Sequence, residues 1–227
     1  MDQHNKDNTI IIFTSDHGHY LGAHHLDGKG PALYEEVIRV PLIFRWPDMI
    51  AAGQTSKSLV SHIDVIPTLL ELAGIEIPPI LEGKSMSKVL ENPNYSYRDG
   101  VLVEFNRFSI THDSWFGFIP IRAIVTERYK LVINLHQTDE LYDLENDPGE
   151  LNNLIMDNDY CNIRNQLHDR LIEIMDNSRD PFRGIVWKTR PWRKDYEFKW
   201  EKGKRRCRPY DGFLPKSYNY ETGLPEE

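Results

Sequence analysis

The chain is predicted to be an α/β protein: the end of an α/β sheet, followed by a small antiparallel sheet with a packed helix. Three observations predict it. Two short apolar runs, residues 9–14 and 40–45, flank a loop rich in glycine and histidine, and a helix with end signals follows them. Between residues 100 and 144 the pattern changes to strands in close succession. From residue 162 to 177 apolar residues then recur at helical spacing.

Taken in order, Thr9-Ile10-Ile11-Ile12-Phe13-Thr14 is a β-branched, near-continuous apolar run, as expected for a strand buried on both faces of a parallel sheet. The loop from Gly18 to about Gly30 has the glycines needed for tight turns that bring side chains back to the strand end. Val40-Pro41-Leu42-Ile43-Phe44-Arg45 reads as a second strand, stopped at Trp46-Pro47-Asp48. A helix is predicted from Asp64 to Gly74, with Asp64 as its cap, Pro67 in its first turn and Gly74 as its stop. Pro78-Pro79 breaks the chain, and a short helix is expected from Ser85 to Leu90.

Strands are predicted at 100–105, 119–126 and 129–135, the last two linked by Glu127-Arg128 as in a hairpin, with another short strand at 140–144. Ile163, Leu167, Leu171, Ile174 and Met175 mark one face of a helix over 162–177. From Pro181 onward the chain is rich in proline, aromatic and basic residues and reads as an extended tail packed over the body. The expected organisation is therefore 1–95, 96–178 and 179–227. Two strands alone do not make a stable parallel sheet, so most strands of the first sheet are expected to lie outside this chain.

A chain of 227 residues can bury a good core. No apolar run approaches the roughly 20 residues that span a bilayer, so no membrane partner is expected. The polar start, Met1-Asp2-Gln3-His4-Asn5-Lys6, lacks the apolar centre of a signal peptide. The compartment is left open, leaning to the cytoplasm. Cys161 and Cys207 are the only cysteines, so there is no disulfide framework.

The net charge of −8 is unevenly spread. Residues 179–210 hold twelve Lys and Arg against four Asp and Glu, a surplus of +8; the remainder holds 15 against 31 and stands at −16. The favoured reading is a docked tail whose arginines pair with the acidic body while Trp187, Trp192 and Trp200 cover apolar surface. The alternative is that some of these residues rim a pocket for an anionic substrate. Nucleic acid is not expected, because the acidic body repels a phosphate backbone.

Chemistry concentrates where the first strand ends, at Ser15-Asp16-His17-Gly18. Ligands of open α/β sheets bind at the carboxyl ends of strands. Asp16 and His17 can offer a carboxylate oxygen and an imidazole to a divalent cation. Equally, Asp16 can cap the loop through backbone amides. Lys29 is suited to a sulfate- or phosphate-type oxyanion, or is one more solvated lysine. His24 and His25 can donate to a leaving oxygen, but adjacent residues seldom face the same way.

These residues stand in a longer order. Gly22-Ala23-His24 follows the Ser-Asp-His-Gly stretch, and Lys29 lies thirteen residues after Asp16. Then come Leu33-Tyr34-Glu35-Glu36, Arg39-Val40-Pro41-Leu42-Ile43 and Ser61-His62-Ile63-Asp64-Val65-Ile66-Pro67-Thr68. Arg122, Tyr129-Lys130, Glu140-Leu141-Tyr142-Asp143-Leu144 and Asp147-Pro148-Gly149-Glu150 complete the series. Over roughly residues 8–176 the chain resembles the sulfatase family of the alkaline phosphatase superfamily, and an ordered series is far more specific than one motif.

The resemblance implies an alkaline-phosphatase-like α/β sheet end and a sulfuric-ester hydrolase. It implies Asp16 and His17 as metal ligands, usually to calcium, with magnesium or manganese as alternatives. Lys29 would contact the sulfate, and His24 would line the pocket and bind or protonate the leaving group. The substrate would be a sulfated small molecule or glycan. Many sulfatases carry Asn where His17 stands; the His form also occurs in phosphonate monoester hydrolases, which keeps phosphonate or phosphate esters as an alternative.

The family's nucleophile is a formylglycine made from Cys or Ser in a Cys/Ser-x-Pro-x-Arg motif near the N-terminus. Cys207-Arg208-Pro209-Tyr210-Asp211 begins like it, but Asp211 replaces the arginine and the position is wrong. The paired aspartates that supply further ligands are missing too. The chain is expected to be the C-terminal part of a sulfatase, inactive alone, with an N-terminal sulfatase portion as its partner. The alternative from another class is a non-catalytic binding or assembly module.

Overall fold

The computed structural model describes residues 8–47, 49–107 and 117–194. In chain order the elements are β1 (Ile11–Thr14), α1 (Glu35–Ile38), β2 (Leu42–Arg45), α2 (Val65–Leu72), α3 (Ser87–Glu91), β3 (Val101–Arg107), β4 (Phe118–Val125), β5 (Tyr129–Asn134), β6 (Glu140–Asp143), α4 (Cys161–Asn177) and α5 (Ile185–Lys188).

The four later strands form an antiparallel meander, β3-β4-β5-β6. Side chains alternate between its two faces, as strand geometry requires. Ile124, Leu131, Ile133 and Leu141 face α4, where Leu167, Leu171 and Met175 close the core. Ile121, Ala123 and Val132 face the other way and pack with Leu33. The second face thus seats the segment that leads into α1. This is what ties the C-terminal sheet to the loop carrying Lys29 and His24.

The seat is held by a buried cation. Lys130 on β5 is fully buried, donates to the Leu33 carbonyl at 2.6 Å and is ion-paired with Glu150. Glu150 Oε2 in turn accepts the Glu35 backbone N–H at 2.7 Å. Burial pushes the Glu150 carboxyl up, against the pull of Lys130. The same burial raises neighbouring Glu140 to about 7.

The first sheet departs from expectation in two respects. β1 pairs antiparallel with β2, in register Ile11↔Arg45 to Thr14↔Leu42. Nor are its faces buried: Phe13 is 61% exposed and Ile43 57%. One face is open, whereas Ile12, Leu42 and Phe44 on the other are half-buried.

Asp64 also differs from its predicted role. A 3-10 turn, His62–Asp64, precedes α2, and the Asp64 carboxylate makes no bond to the N–H groups of α2. It accepts instead from the Ser61 N–H at 2.8 Å, the Lys84 N–H at 3.0 Å and the Arg98 guanidinium at 2.7 Å, and is wholly buried. Gly74 ends the helix as predicted. Its φ of +70° lets Gly74 N–H reach Glu71 O and Ile75 N–H reach Leu70 O.

The tail from Pro181 is less extended than predicted. It contains the single turn α5, and Trp187 (1% exposed) and Trp192 (6%) belong to the core under α4. Its charges pair with the body as expected: Arg190 with Asp139, Arg193 with Asp169, Lys188 with Asp176. Trp200 and Cys207 lie outside the described residues. Among the described residues, no helix is long and apolar enough to cross a membrane.

At the end of β6, Asp143 is buried and accepts from Arg128 and Asn146. The Arg128 hydrogen bonds, foremost, hold its carboxyl down at about 2. A depressed carboxyl stabilises the fold above its ordinary value near 4, and that contribution is lost as pH falls towards 2. Wild type and Asp143→Asn, unfolded in urea from pH 7 downward, are expected to differ in midpoint above about pH 4 and converge across this window.

Candidate active site

The site begins where β1 stops and the backbone turns back. Ser15 Oγ donates to the His17 carbonyl at 2.8 Å, folding the strand end into a tight turn. Gly18 then runs against α1: its N–H donates to Val37 O at 2.8 Å, and the His19 N–H donates to Glu36 O at 3.0 Å. A Cβ on Gly18 would stand 1.8 Å from Glu36 O, so only glycine permits this approach.

Three of the four predicted residues converge here. Asp16 Oδ1 accepts the His17 backbone N–H at 3.0 Å, and Oδ2 lies 3.3 Å from His17 Nε2. Lys29 Nζ comes within 2.5 Å of the same Nε2. His17 Nδ1 lies 2.7 Å from the Gly18 carbonyl. A carbonyl only accepts and an ammonium only donates. Nδ1 therefore carries the hydrogen, and the Nε2 lone pair faces Asp16 and Lys29.

Asp16 is exposed, and its carboxyl is held below the usual range. The His17 N–H is the main cause, and the Lys29 charge adds to it. An ionised carboxylate beside an imidazole lone pair is a donor set suited to a divalent cation. It supplies two ligands. Among the described residues no group of three or more His, Cys, Asp or Glu gathers to hold a metal. Asp16 and His17 thus fit one side of a site.

His24 is placed differently. It sits in a 3-10 turn, Ala23–His25, with a left-handed φ of +52°. Its ring stacks on Tyr34, centroids 3.6 Å apart and planes 7° from parallel. Its Nε2 stands 3.8 Å from Glu36 Oε2. Among the described residues no hydrogen bond or ion pair joins it to Asp16, His17 or Lys29. His25 also has a left-handed φ, +59°.

Sequence reasoning missed two neighbours. His62 Nε2 lies 3.3 Å from Thr14 Oγ1, bringing the turn before α2 to the end of β1. Glu36 on α1 faces His24 across the loop. Both were quoted in the resemblance without a role, and only the fold puts them beside the loop. A cleft of about 600 Å³ lined by Pro47, Met49, Ile50, Ala51, Ala52, Leu90 and Glu91 contains none of these residues, and its mostly apolar lining offers no comparable chemistry.

Solved structures share this fold. A protein solved in complex with its substrate, D-glucosamine-2-N,6-O-disulfate, superimposes with a TM-score of 0.70 at 33% identity, over 78% of this chain and 36% of that one. The phosphonate monoester hydrolase of Agrobacterium radiobacter gives 0.67 at 31%, over 76% and 36%.

The chain belongs to the sulfatase family. The family model for N-sulphoglucosamine sulphohydrolase, C-terminal, matches residues 23–177. A sulfatase of Escherichia coli K12, YidJ, is 48% identical over 98% of this chain and 43% of its own length. The N-acetylglucosamine-6-O-sulfatase of Bacteroides thetaiotaomicron is 34% identical over 77% of this chain and 31% of its own. The chain thus spans less than half the length of these relatives.

Proposed function

We propose that this chain supplies one side of the active site of a sulfuric-ester hydrolase acting on a sulfated sugar. The observation that carries the reading is the convergence of Lys29 on His17 beside the ionised Asp16, in a chain of the sulfatase family. The sugar is suggested by the relatives, whose names specify N-acetylglucosamine and glucosamine sulfates.

In this reading Asp16 and His17 hold a divalent cation, calcium in the first instance, with further ligands from outside the described residues. A formylglycine in an N-terminal sulfatase portion, outside this chain, supplies the oxygen nucleophile. Lys29 faces the sulfate and offsets the negative charge that builds on its oxygens. His24 returns a proton to the departing alcohol. Lys29 would share the task of holding the anion with a cation held by Asp16 and His17.

A second reading is supported by His17 and by the phosphonate monoester hydrolase likeness. The test is to assay the full-length protein that carries this chain on 4-nitrophenyl sulfate and on a phenylphosphonate monoester. Higher kcat/KM for the sulfate is expected, and the reverse order moves the assignment to the second reading. The 227-residue chain alone is expected to show no turnover and only weak calcium binding by calorimetry. Robust metal-dependent turnover by that chain would overturn the view that its nucleophile lies elsewhere. Asp16→Ala in the full-length protein is expected to lose bound metal, measured by elemental analysis.

A further inference from the structure

The backbone around His24 is held in costly conformations. Leu21, His24 and His25 all have φ between +49° and +59°, a region that side chains other than glycine seldom occupy. Such strain persists only where surrounding contacts over-determine it. Glu36 supplies contacts to both arms of this loop. Its carbonyl accepts from the His19 N–H and lies against Gly18, directly after the Asp16–His17 pair. Its carboxylate faces His24.

That carboxylate is unusual. Glu36 Oε2 is buried and makes no hydrogen bond, while the His24 side chain, 11% exposed, presents Nε2 to it at 3.8 Å. A buried acceptor without a donor costs free energy. Closing the gap by about 1 Å makes a normal hydrogen bond, and catalytic contacts commonly tighten only when substrate is bound. Tyr34, stacked flat on the ring, limits its movement to sliding within its plane. Among the described residues, an aromatic plane and a carboxylate face His24.

We propose that Glu36 is a positioning residue for His24: it accepts the Nε2–H of the protonated ring and sets the ring so that the Nδ1–H is the proton delivered to the leaving group, leaving the neutral ring with its Nε2–H on Glu36. This rests on the sulfuric-ester reading above. A carboxylate behind an imidazole decides which nitrogen carries the hydrogen and which is presented to the reaction. Tyr34 fixes the plane, and Glu36 fixes the direction within it.

The test uses the full-length protein with two aryl sulfates that differ in leaving-group basicity, 4-nitrophenyl and 4-methylphenyl sulfate. Nitrophenolate departs without a proton, whereas methylphenolate needs one. Glu36→Gln is expected to lower kcat about 10-fold or more on the 4-methylphenyl ester. This is less than the about 10²–10⁴-fold that a general acid itself is worth. On the 4-nitrophenyl ester the change is expected to be under about threefold, with KM little altered on both.

Glu36→Asp is expected to recover part of the loss, and His24→Ala/Glu36→Gln to be no slower than His24→Ala. Equal losses on both esters, or multiplying losses in the double variant, would reveal a purely structural role and overturn the proposal. Wild-type turnover left unchanged by Glu36→Gln overturns it while leaving the sulfatase reading intact. No turnover of either ester by the wild type overturns both.

Discussion

Replacing Lys29 with alanine in the full-length protein is expected to lower kcat on a sulfate ester by about 10²–10³-fold, the loss seen when one preorganised donor to a developing oxyanion is removed. The argument runs through geometry. Lys29 Nζ is drawn to 2.5 Å from His17 Nε2 and contributes to the depression of Asp16. An ammonium that reaches Nε2 is close enough to both ligands to contact an anion that a cation held by them would bind. Because Lys29 is not itself a ligand, the bound metal, read by elemental analysis, is expected to stay near the wild-type ratio. KM is expected to rise modestly while kcat carries most of the loss, since charge on the oxygens grows towards the transition state. A Lys29→Ala enzyme with unchanged kcat would remove Lys29 from the mechanism. Loss of metal together with rate would make its role structural.

The second large effect lies in the C-terminal sheet. Lys130→Met is expected to destabilise the fold by about 3–5 kcal/mol, because it leaves the Glu150 carboxylate buried without its cation. Lys130 is fully buried on β5 and Glu150 is 2% exposed. The same ammonium donates to Leu33 O, so the substitution also leaves that carbonyl without its donor. Urea unfolding at pH 7 gives the measurement. Lys130→Met/Glu150→Gln is expected to regain more than half of the loss, because the neutral amide keeps an acceptor for the Glu35 N–H and removes the stranded charge. If the double variant is no better than the single one, the cost lies in packing around Lys130 and not in the ion pair.

The two effects are connected through α1. Lys130 and Glu150 hold Leu33 and Glu35 on the sheet, and Glu36, the next residue, carries the contacts to Gly18, His19 and His24. A loss at Lys130 is therefore expected to loosen the loop as well as the core.

Much of this was legible in the residues themselves. The meander was readable because β-branched and apolar residues run in short stretches broken by turn residues, with strand ends within two residues of those found. Helix α4 was readable from its spacing, and Gly74 from the need for a left-handed residue at a helix end. The single turns α1 and α5 were not, since four residues are too few to show a period. Asp64 was misread because a carboxylate at a helix start looks like a cap. What it binds depends on Lys84 and Arg98, distant in sequence.

The sequence by itself determined the family, the strand-end position of Asp16 and His17, and the ordered motifs that include Lys29. Each depends on local pattern and spacing, which survive without knowledge of the fold. Only the tertiary structure decided that Lys29 reaches His17, that His24 lies against Tyr34 and Glu36, and that a buried Lys130 ties this loop to the sheet. Those facts are set by contacts between residues up to about a hundred positions apart. Such contacts form only because burying the two faces of one sheet brings both regions to the same place.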